Sequence, residues 1–449
     1  MNDKDLVLTK LVDGVNVFDV SRLGDMSGFD PANEVDPGGD VIKIAVNGPF
    51  SGPAAALGDA YYTAVAWVAY DINQRGGLMV DGKRKKIQVL KANNQYKPDV
   101  LKKVVERMIL QEKVDVLWGT NGTNLQKIVN QLADKYKVIA QNTIALSDEI
   151  QEGNDFSRYA FMTCPTTGQI GKGLAYYYGK VRKKEKKFYI LGQDYSFGHA
   201  LSDGFKEGLK EYFPEAQIVG EDYHKLFLTD YAPYISKIKN SGAEVVFTGD
   251  WPPDSTALLK QSRQLGLTLP FAHFFIDDPN LLAEVGYDGV IGNVQIGMYG
   301  VDGPIFKTDA QIAYYKAWND LWKNKWKAPF NTILYKHPFG NFGAQIEQTY
   351  WMFSVMERAG STNPDKIIEV FEGDKYQFMS GKYMEMRPCD HKTIQDLHVW
   401  EFVKPEEQKA LFNIPPYYPF KDTAGAGLNF KIPREAIVPH MDKTLDRCK

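Results

Sequence analysis

Residues 42–77 read IKIAVNGPFSGPAAALGDAYYTAVAWVAYDINQRGG, and this stretch decides the fold. Ile42, Ile44 and Val46 alternate along a short apolar run that reads as a buried strand. A Gly/Pro/Ser loop follows. Ala64, Val65, Val68, Ala69 and Ile72 then recur three and four apart, which gives a helix one buried face. Asp71-Ile72-Asn73 followed by Gly76-Gly77 ends that helix, because glycine supplies the positive φ of a C-cap.

The same alternation continues outward. Strands are predicted at 42–47, 87–92, 114–118 and 137–141, with helices at 55–74, 98–112 and 123–136. This is one doubly wound lobe, a parallel sheet covered by helices. After an irregular stretch at 147–158 the pattern restarts, with strands at 187–191, 216–220, 243–248 and 269–273 and helices at 167–181, 197–212, 230–240 and 254–265. That is a second lobe of the same kind. Two long helical stretches, 308–325 and 340–359, precede a hairpin-like segment at 376–403. Two segments fall outside the pattern: residues 1–40, where LGDMSGFDPANEVDPGGD reads as a surface loop, and the tail 404–449, where NIPPYYPF reads as an extended arm. The acidic spacing of the first lacks the bidentate Glu and fixed positions of a calcium loop.

A chain of 449 residues exceeds one ordinary domain, and 44% hydrophobic content is ample for two cores. A net charge of −3 supplies no electrostatic attraction for nucleic acid or anionic lipid. No stretch approaches the roughly 20 apolar residues of a membrane span. The run RKKEKK (182–187) reads as a solvated helix end. Of the three cysteines, Cys164, Cys389 and Cys448, none has C-x-x-C spacing, so no metal motif is present. Cys389 and Cys448 are able to bridge in an oxidising compartment, and the sequence leaves bridged and free forms open. The N-terminus MNDKDLVLTK has no apolar core and is not a signal peptide.

Catalytic constellations are missing. The chain has no G-x-S-x-G elbow, P-loop, G-x-G-x-x-G, H-E-x-x-H or kinase signature, and its seven histidines form no i, i+4 pair. This argues against an enzyme, and no cofactor or metal is expected. In a doubly wound lobe ligands bind beyond the carboxyl ends of the strands, so the loops after each strand carry the function. In the first lobe these contain Gly48-Pro49-Phe50-Ser51-Gly52-Pro53, then Gly119-Thr120-Asn121-Gly122-Thr123-Asn124, then Gln141-Asn142-Thr143-Ile144-Ala145-Leu146-Ser147. Thr123 and its neighbouring Asn residues stand at a helix N-terminus, where side chains cap N–H groups and an anion is attracted. The second lobe offers Gln193-Asp194-Tyr195-Ser196-Phe197-Gly198, Gly249-Asp250-Trp251-Pro252 and His273-Phe274-Phe275-Ile276-Asp277-Asp278.

The segment at 42–77 resembles the opening of periplasmic solute-binding proteins of the leucine/isoleucine/valine-binding family. MRPCDHKTIQDLHVWEF (386–402), with its Asp390-His391 pair, resembles that family's third crossover. The resemblance implies an α/β fold of two doubly wound parallel-sheet lobes joined by three hinge crossovers near 158–165, 292–300 and 375–400. It divides the chain into an N-terminal extension (1–41), lobe 1 (42–160 plus 298–378), lobe 2 (161–297 plus 379–410) and a C-terminal arm (411–449). It also implies a monomeric periplasmic protein, its signal peptide not part of this sequence, that captures a small-molecule solute in an interlobe cleft and delivers it to ABC permease subunits. Carried over residue by residue, the ligand contacts are Ser51, Asn121, Thr123, Thr143, Ile144, Leu146, Tyr195, Phe197, Asp250, Trp251, Phe275 and Asp277.

Where family members place a ligand-binding Thr hydroxyl this chain has Leu146, with Thr143 or Ser147 as substitutes, and Leu57 stands in place of a Tyr. The acidic group that meets an amino-acid ammonium is replaced near Phe275, leaving Asp250 or Asp277 to serve. These departures favour a carboxylate with an aromatic or bulky apolar body. A ligand-sensing receptor on the same fold, and a branched-chain amino-acid binder, are the alternatives.

Overall fold

The computed structural model describes residues 7–276, 278–297, 308–336, 338, 341–403 and 428–449. The first strand, Val41–Gly48, leads into the helix Ala55–Gln74. Gly58 is required in that helix because a Cβ there would lie 2.4 Å from the Pro49 carbonyl oxygen, where the loop doubles back over the first turn. At the other end Gly77 N–H donates to Ile72 O at 2.9 Å and Gly76 N–H to Asn73 O at 3.2 Å. That is the paired closure of a Schellman cap, with φ of 96° at Gly76 and 82° at Gly77.

The chain divides into two compact units. Unit 1 comprises Met1–Pro165, Phe306–Gln395 and His440–Lys449, and unit 2 comprises Thr166–Ile305 and Asp396–Pro439. In unit 1 five parallel strands stand in the order Lys83–Asn93, Val41–Gly48, Val116–Trp118, Ile139–Asn142, Ala160–Met162, with Leu78–Val80 antiparallel at one edge. In chain order this is 2-1-3-4-5, the doubly wound arrangement whose winding reverses between the first and third strands. Unit 2 repeats it with Gln217–His224, Lys187–Gln193, Val245–Thr248, Phe271–His273 and Val294–Gly297, followed by antiparallel His398–Glu401 and Leu428–Lys431. Its core gathers Tyr189, Leu191, Ile235, Val246, Leu258 and Phe271.

Several boundaries differ from the sequence expectation. Residues 7–41, expected as part of an N-terminal extension outside the lobes, belong to unit 1. The strands Thr9–Val12 and Val15–Phe18 join Lys375–Gln377, Tyr383–Met386 and Thr393–Gln395 in a five-stranded sheet of unit 1. Buried charge holds the segment there. Asp71 accepts from Gly24 N–H at 2.7 Å and from the Tyr350 hydroxyl at 2.6 Å, and pairs with Arg75. Arg75 in turn donates to the carbonyls of Val7 and Asp19. Within the stretch read as a surface loop, Phe29 inserts edge-on against Trp67, Tyr70 and Trp326.

The hairpin strands 383–395, expected in the second lobe, belong to unit 1, so the third passage falls at 395/396. The tail is not a single arm. Leu428–Lys431 pairs in the unit 2 sheet, and His440–Lys449 makes a fourth passage back to unit 1, where Cys448 is bonded to Cys389. NIPPYYPF and part of the second expected crossover lie outside the described residues. Among the described residues no helix is long and apolar enough to cross a membrane.

The disulfide closes a 59-residue separation, and Asp442 also anchors the tail by accepting from Gly153 N–H at 2.8 Å. Replacing both Cys389 and Cys448 by serine is expected to lower the unfolding free energy by about 2–4 kcal/mol. Urea denaturation of oxidised, reduced and variant protein measures this, and indistinguishable curves would rule it out.

Candidate functional site

Both winding reversals open between two parallel strands; Ser51, Asn121, Thr123, Tyr195, Phe197, Asp250 and Trp251 follow the strands at the reversals, whereas Thr143, Ile144, Leu146 and Phe275 follow the next strand of each sheet. In unit 1 the strand ends are joined by side chains. Asn94 Nδ2 donates to Thr120 Oγ1 at 2.8 Å and to Asn47 Oδ1 at 3.1 Å. Asn93 reaches into the first loop, accepting from Phe50 N–H at 3.0 Å and donating to Ser51 Oγ at 3.1 Å. Ser51 itself is exposed.

Thr123 begins the helix Thr123–Tyr136, but it is not the cap. Gly122 is the N-cap and no side chain caps the first turn. The Thr123 hydroxyl instead meets the Ser147 hydroxyl at 2.9 Å, both buried. A helix end whose N–H groups lack a side-chain partner, flanked by two hydroxyls, suits a carboxylate. In the next loop Asn142 fixes the backbone, accepting from Ala145 N–H at 2.9 Å and donating to Ala145 O at 2.7 Å. Ile144 and Leu146 are thereby held in buried positions. Asn121 Oδ1 and Thr143 Oγ1 are buried and have no hydrogen-bond partner among the described residues. An unpaired buried polar atom costs about 1–3 kcal/mol, so each is a place for a ligand group or a water.

Unit 2 contributes aromatic rings. Tyr195 and Phe197 lie 5.8 Å apart, Phe197 and Phe275 6.5 Å apart, and Trp251 Nε1 donates to the Tyr195 hydroxyl at 2.9 Å. Phe275 is set by a histidine, its N–H donating to His273 Nδ1 at 2.7 Å. Burial pushes the His273 pKa down to about 3, so that ring is neutral and its Nδ1 is free to accept. Asp250 is fully buried. One of its carboxylate oxygens meets His224 Nε2 at 2.7 Å and the other has no partner among the described residues. Asp277, the second acidic candidate, lies outside the described residues.

The sequence profile of the periplasmic binding protein family matches residues 41–408. The chain belongs to that family. Leu/Ile/Val-binding protein homolog 4 of Brucella melitensis is 26% identical over 392 residues, spanning 86% of this chain and 89% of the relative. Among solved structures, the solute-binding protein of an ABC transporter from Rhodopseudomonas palustris, in complex with 3,4-dihydroxybenzoic acid, superposes with a TM-score of 0.71 at 20% identity, covering 89% of this chain and 99% of that one. The closed form of a leucine-, isoleucine-, valine-, threonine- and alanine-binding protein from Brucella ovis gives a TM-score of 0.71 at 21% identity, covering 90% and 98%. The two lobes are therefore those of a type I periplasmic binding protein, as the resemblance implied.

Thr123 meets Ser147 in unit 1, and Tyr195, Phe197, Trp251 and Phe275 form a chain of ring and hydrogen-bond contacts in unit 2. Asn94 and Gln345, which the sequence did not single out, have side chains that serve strand and loop ends in unit 1. His224 and Asp254 do the same in unit 2. His224 was discoverable, since it ends a strand at the same pole as the predicted loops. Gln345 was discoverable too, as a polar residue on the buried face of the helix Asn341–Ala359. Among the described residues the one cluster of potential metal ligands is Cys389, Asp390 and Cys448, and its two sulfurs are spent on the disulfide.

Because Thr123 and Ser147 share one buried hydrogen bond, each change to alanine is expected to cost about 1 kcal/mol, and the double variant less than the sum. Equilibrium denaturation of the four proteins checks this. Additive losses would mean that the two hydroxyls do not interact.

Proposed function

We propose that this protein is the extracytoplasmic solute-binding component of an ABC-type importer, and that its solute is a small carboxylate with an aromatic or bulky apolar body. In this reading the uncapped helix end and the Thr123–Ser147 hydroxyls of unit 1 take the carboxylate. Tyr195, Phe197, Trp251 and Phe275 of unit 2 take the apolar body. The loaded form docks on a membrane permease, as hinge-bending binding proteins do. Binding and release are the whole cycle, with no bond made or broken.

The observation that carries the ligand class is the make-up of unit 2. Its ligand loops present mutually contacting aromatic rings, and the Asp250 carboxylate is already engaged by His224. A buried ammonium without a counter-charge costs several kcal/mol, whereas an aromatic pair adds about 0.5–1.5 kcal/mol beyond area burial. A protein of the same fold holds an aromatic acid, which is consistent with this reading. The Brucella relatives carry the name Leu/Ile/Val-binding protein homolog 4, and this favours a second reading, a branched-chain amino-acid binder in which the unpaired Asp250 oxygen meets the ammonium.

Calorimetry with benzoate, 4-hydroxybenzoate, phenylacetate, phenylalanine and leucine separates the two. At least one aromatic acid is expected to bind more tightly than leucine, by about tenfold or more. Thr123→Ala is expected to weaken it by about one to two decades, the value of a charge-assisted hydrogen bond. Micromolar leucine binding with no aromatic-acid binding would establish the second reading instead.

A further inference from the structure

The proposed function makes Trp251 a solute contact, and the elements that fix its loop lie one layer deeper in unit 2. Two buried carboxylates tie the strand ends together. Asp250 Oδ2 lies 2.7 Å from His224 Nε2, and both side chains are 0% exposed. Asp254 Oδ2 accepts from Gln193 Nε2 at 2.8 Å and from Phe227 N–H at 3.0 Å. Trp251 stands between these two aspartates in the chain. Its ring meets Phe227 edge-on at 5.6 Å while its Nε1 donates to Tyr195.

The surroundings of the His224 ring dictate its charge. Nε2 faces the Asp250 carboxylate, and Nδ1 lies 2.9 Å from the Lys225 carbonyl oxygen. Both partners are acceptors. A neutral imidazole has one N–H and one lone pair, so one nitrogen would direct a lone pair at an oxygen. The imidazolium alone donates to both. The other groups around the ring are Tyr231 and Tyr234, edge-on at 5.0 and 6.1 Å, and the carboxylate of Asp254. Burial disfavours the charged ring, but the hydrogen bond and charge of Asp250 outweigh it, and the pKa rises above the ordinary 6.5.

We propose that His224 is a positioning residue for solute capture: as a buried imidazolium it anchors Asp250 and thereby holds Trp251 in its binding orientation, so that affinity depends on the proton carried by His224. This rests on the reading of Trp251 as a solute contact. Since the folded-state pKa is raised, the stabilisation from the pair is complete below 6.5 and is lost as pH rises through the folded-state value. Solute affinity follows the same direction, stronger below the His224 midpoint and weaker above it.

Two measurements on the whole chain test this. The first needs no ligand. With nitrogen-15 in histidine and tryptophan, the His224 ring is assigned through His224→Gln and the Trp251 indole through Trp251→Phe. Both His224 nitrogens are expected to be protonated at about pH 7, and the Trp251 indole resonance to move with the His224 midpoint. A neutral His224 at that pH, or an indole that ignores its titration, overturns the proposal. The second is calorimetry with benzoate, which stays ionised from about pH 6 to about pH 9.5. A loss of about tenfold across that range in the natural protein, with weaker and pH-independent binding in His224→Gln, supports the proposal. Equal affinity at both ends overturns it. If benzoate binds at no pH, the same comparison is made with phenylacetate, or with 4-hydroxybenzoate below its phenol titration. If none of the three binds while the indole tracks His224, the assigned solute class fails and only the coupling of His224 to Trp251 stands.

Discussion

A parallel sheet that winds outward from its first strand in both directions must leave a crevice where the winding reverses, and the placement of the candidate ligand loops of this protein depends on that constraint. Strands one and three of each unit are neighbours, and in a doubly wound sheet the chain leaves such strands toward opposite faces. Their carboxyl-terminal loops therefore diverge, and no helix covers the gap. In unit 1 the diverging loops carry Ser51 and Asn121–Thr123, and in unit 2 they carry Tyr195–Phe197 and Asp250–Trp251. The same topology, used twice, yields two loop clusters of different chemistry.

Open crevices expose backbone and side-chain polar groups that elsewhere would be paired, and the structure meets this by bonding strand-end side chains to one another. Asn94 spans Asn47 and Thr120, Gln126 accepts from Thr120 N–H at 3.0 Å, and Asn142 closes its own loop. Rigid loop ends lose little entropy when a solute binds, which is the physical value of such preorganisation. Asn121 Oδ1 and Thr143 Oγ1 are among the buried polar atoms left without a partner among the described residues. Two histidines in unit 2 show how environment divides one residue type. His273 is neutral and accepts a hydrogen bond, while His224 sits between two acceptors and is driven toward its charged form.

Much of the alternating core was legible in the sequence. Predicted helices at 55–74 and 123–136 coincide with Ala55–Gln74 and Thr123–Tyr136, because apolar period and glycine punctuation are local signals. The predicted helices at 98–112 and 167–181 each end in a π turn, Met108–Glu112 and Tyr177–Arg182. The N-terminal hairpin was not legible. Its strands Thr9–Val12 and Val15–Phe18 are held by Glu357, Asp374 and Arg75, residues remote in sequence or on another element, so no local pattern announces them. The third passage was misplaced for a similar reason. The strands at 383–395 are bonded within unit 1, and a run of short polar strands carries no mark of which sheet it joins.

From its residues alone this chain declares two wound α/β lobes, the loops in which a ligand would be sought and the aromatic bias of the second set. Those properties follow from periodicity and from residue type at strand ends, which are written in short windows. The pairings required the tertiary structure: Thr123 with Ser147, Asp250 with His224, Cys389 with Cys448, and Asp71 with the N-terminal segment. Each joins residues 24 or more positions apart, and such partners are chosen by the packing of whole elements. A hydroxyl that looked like a helix cap became half of a buried pair because glycine, one residue earlier, had already taken the capping position.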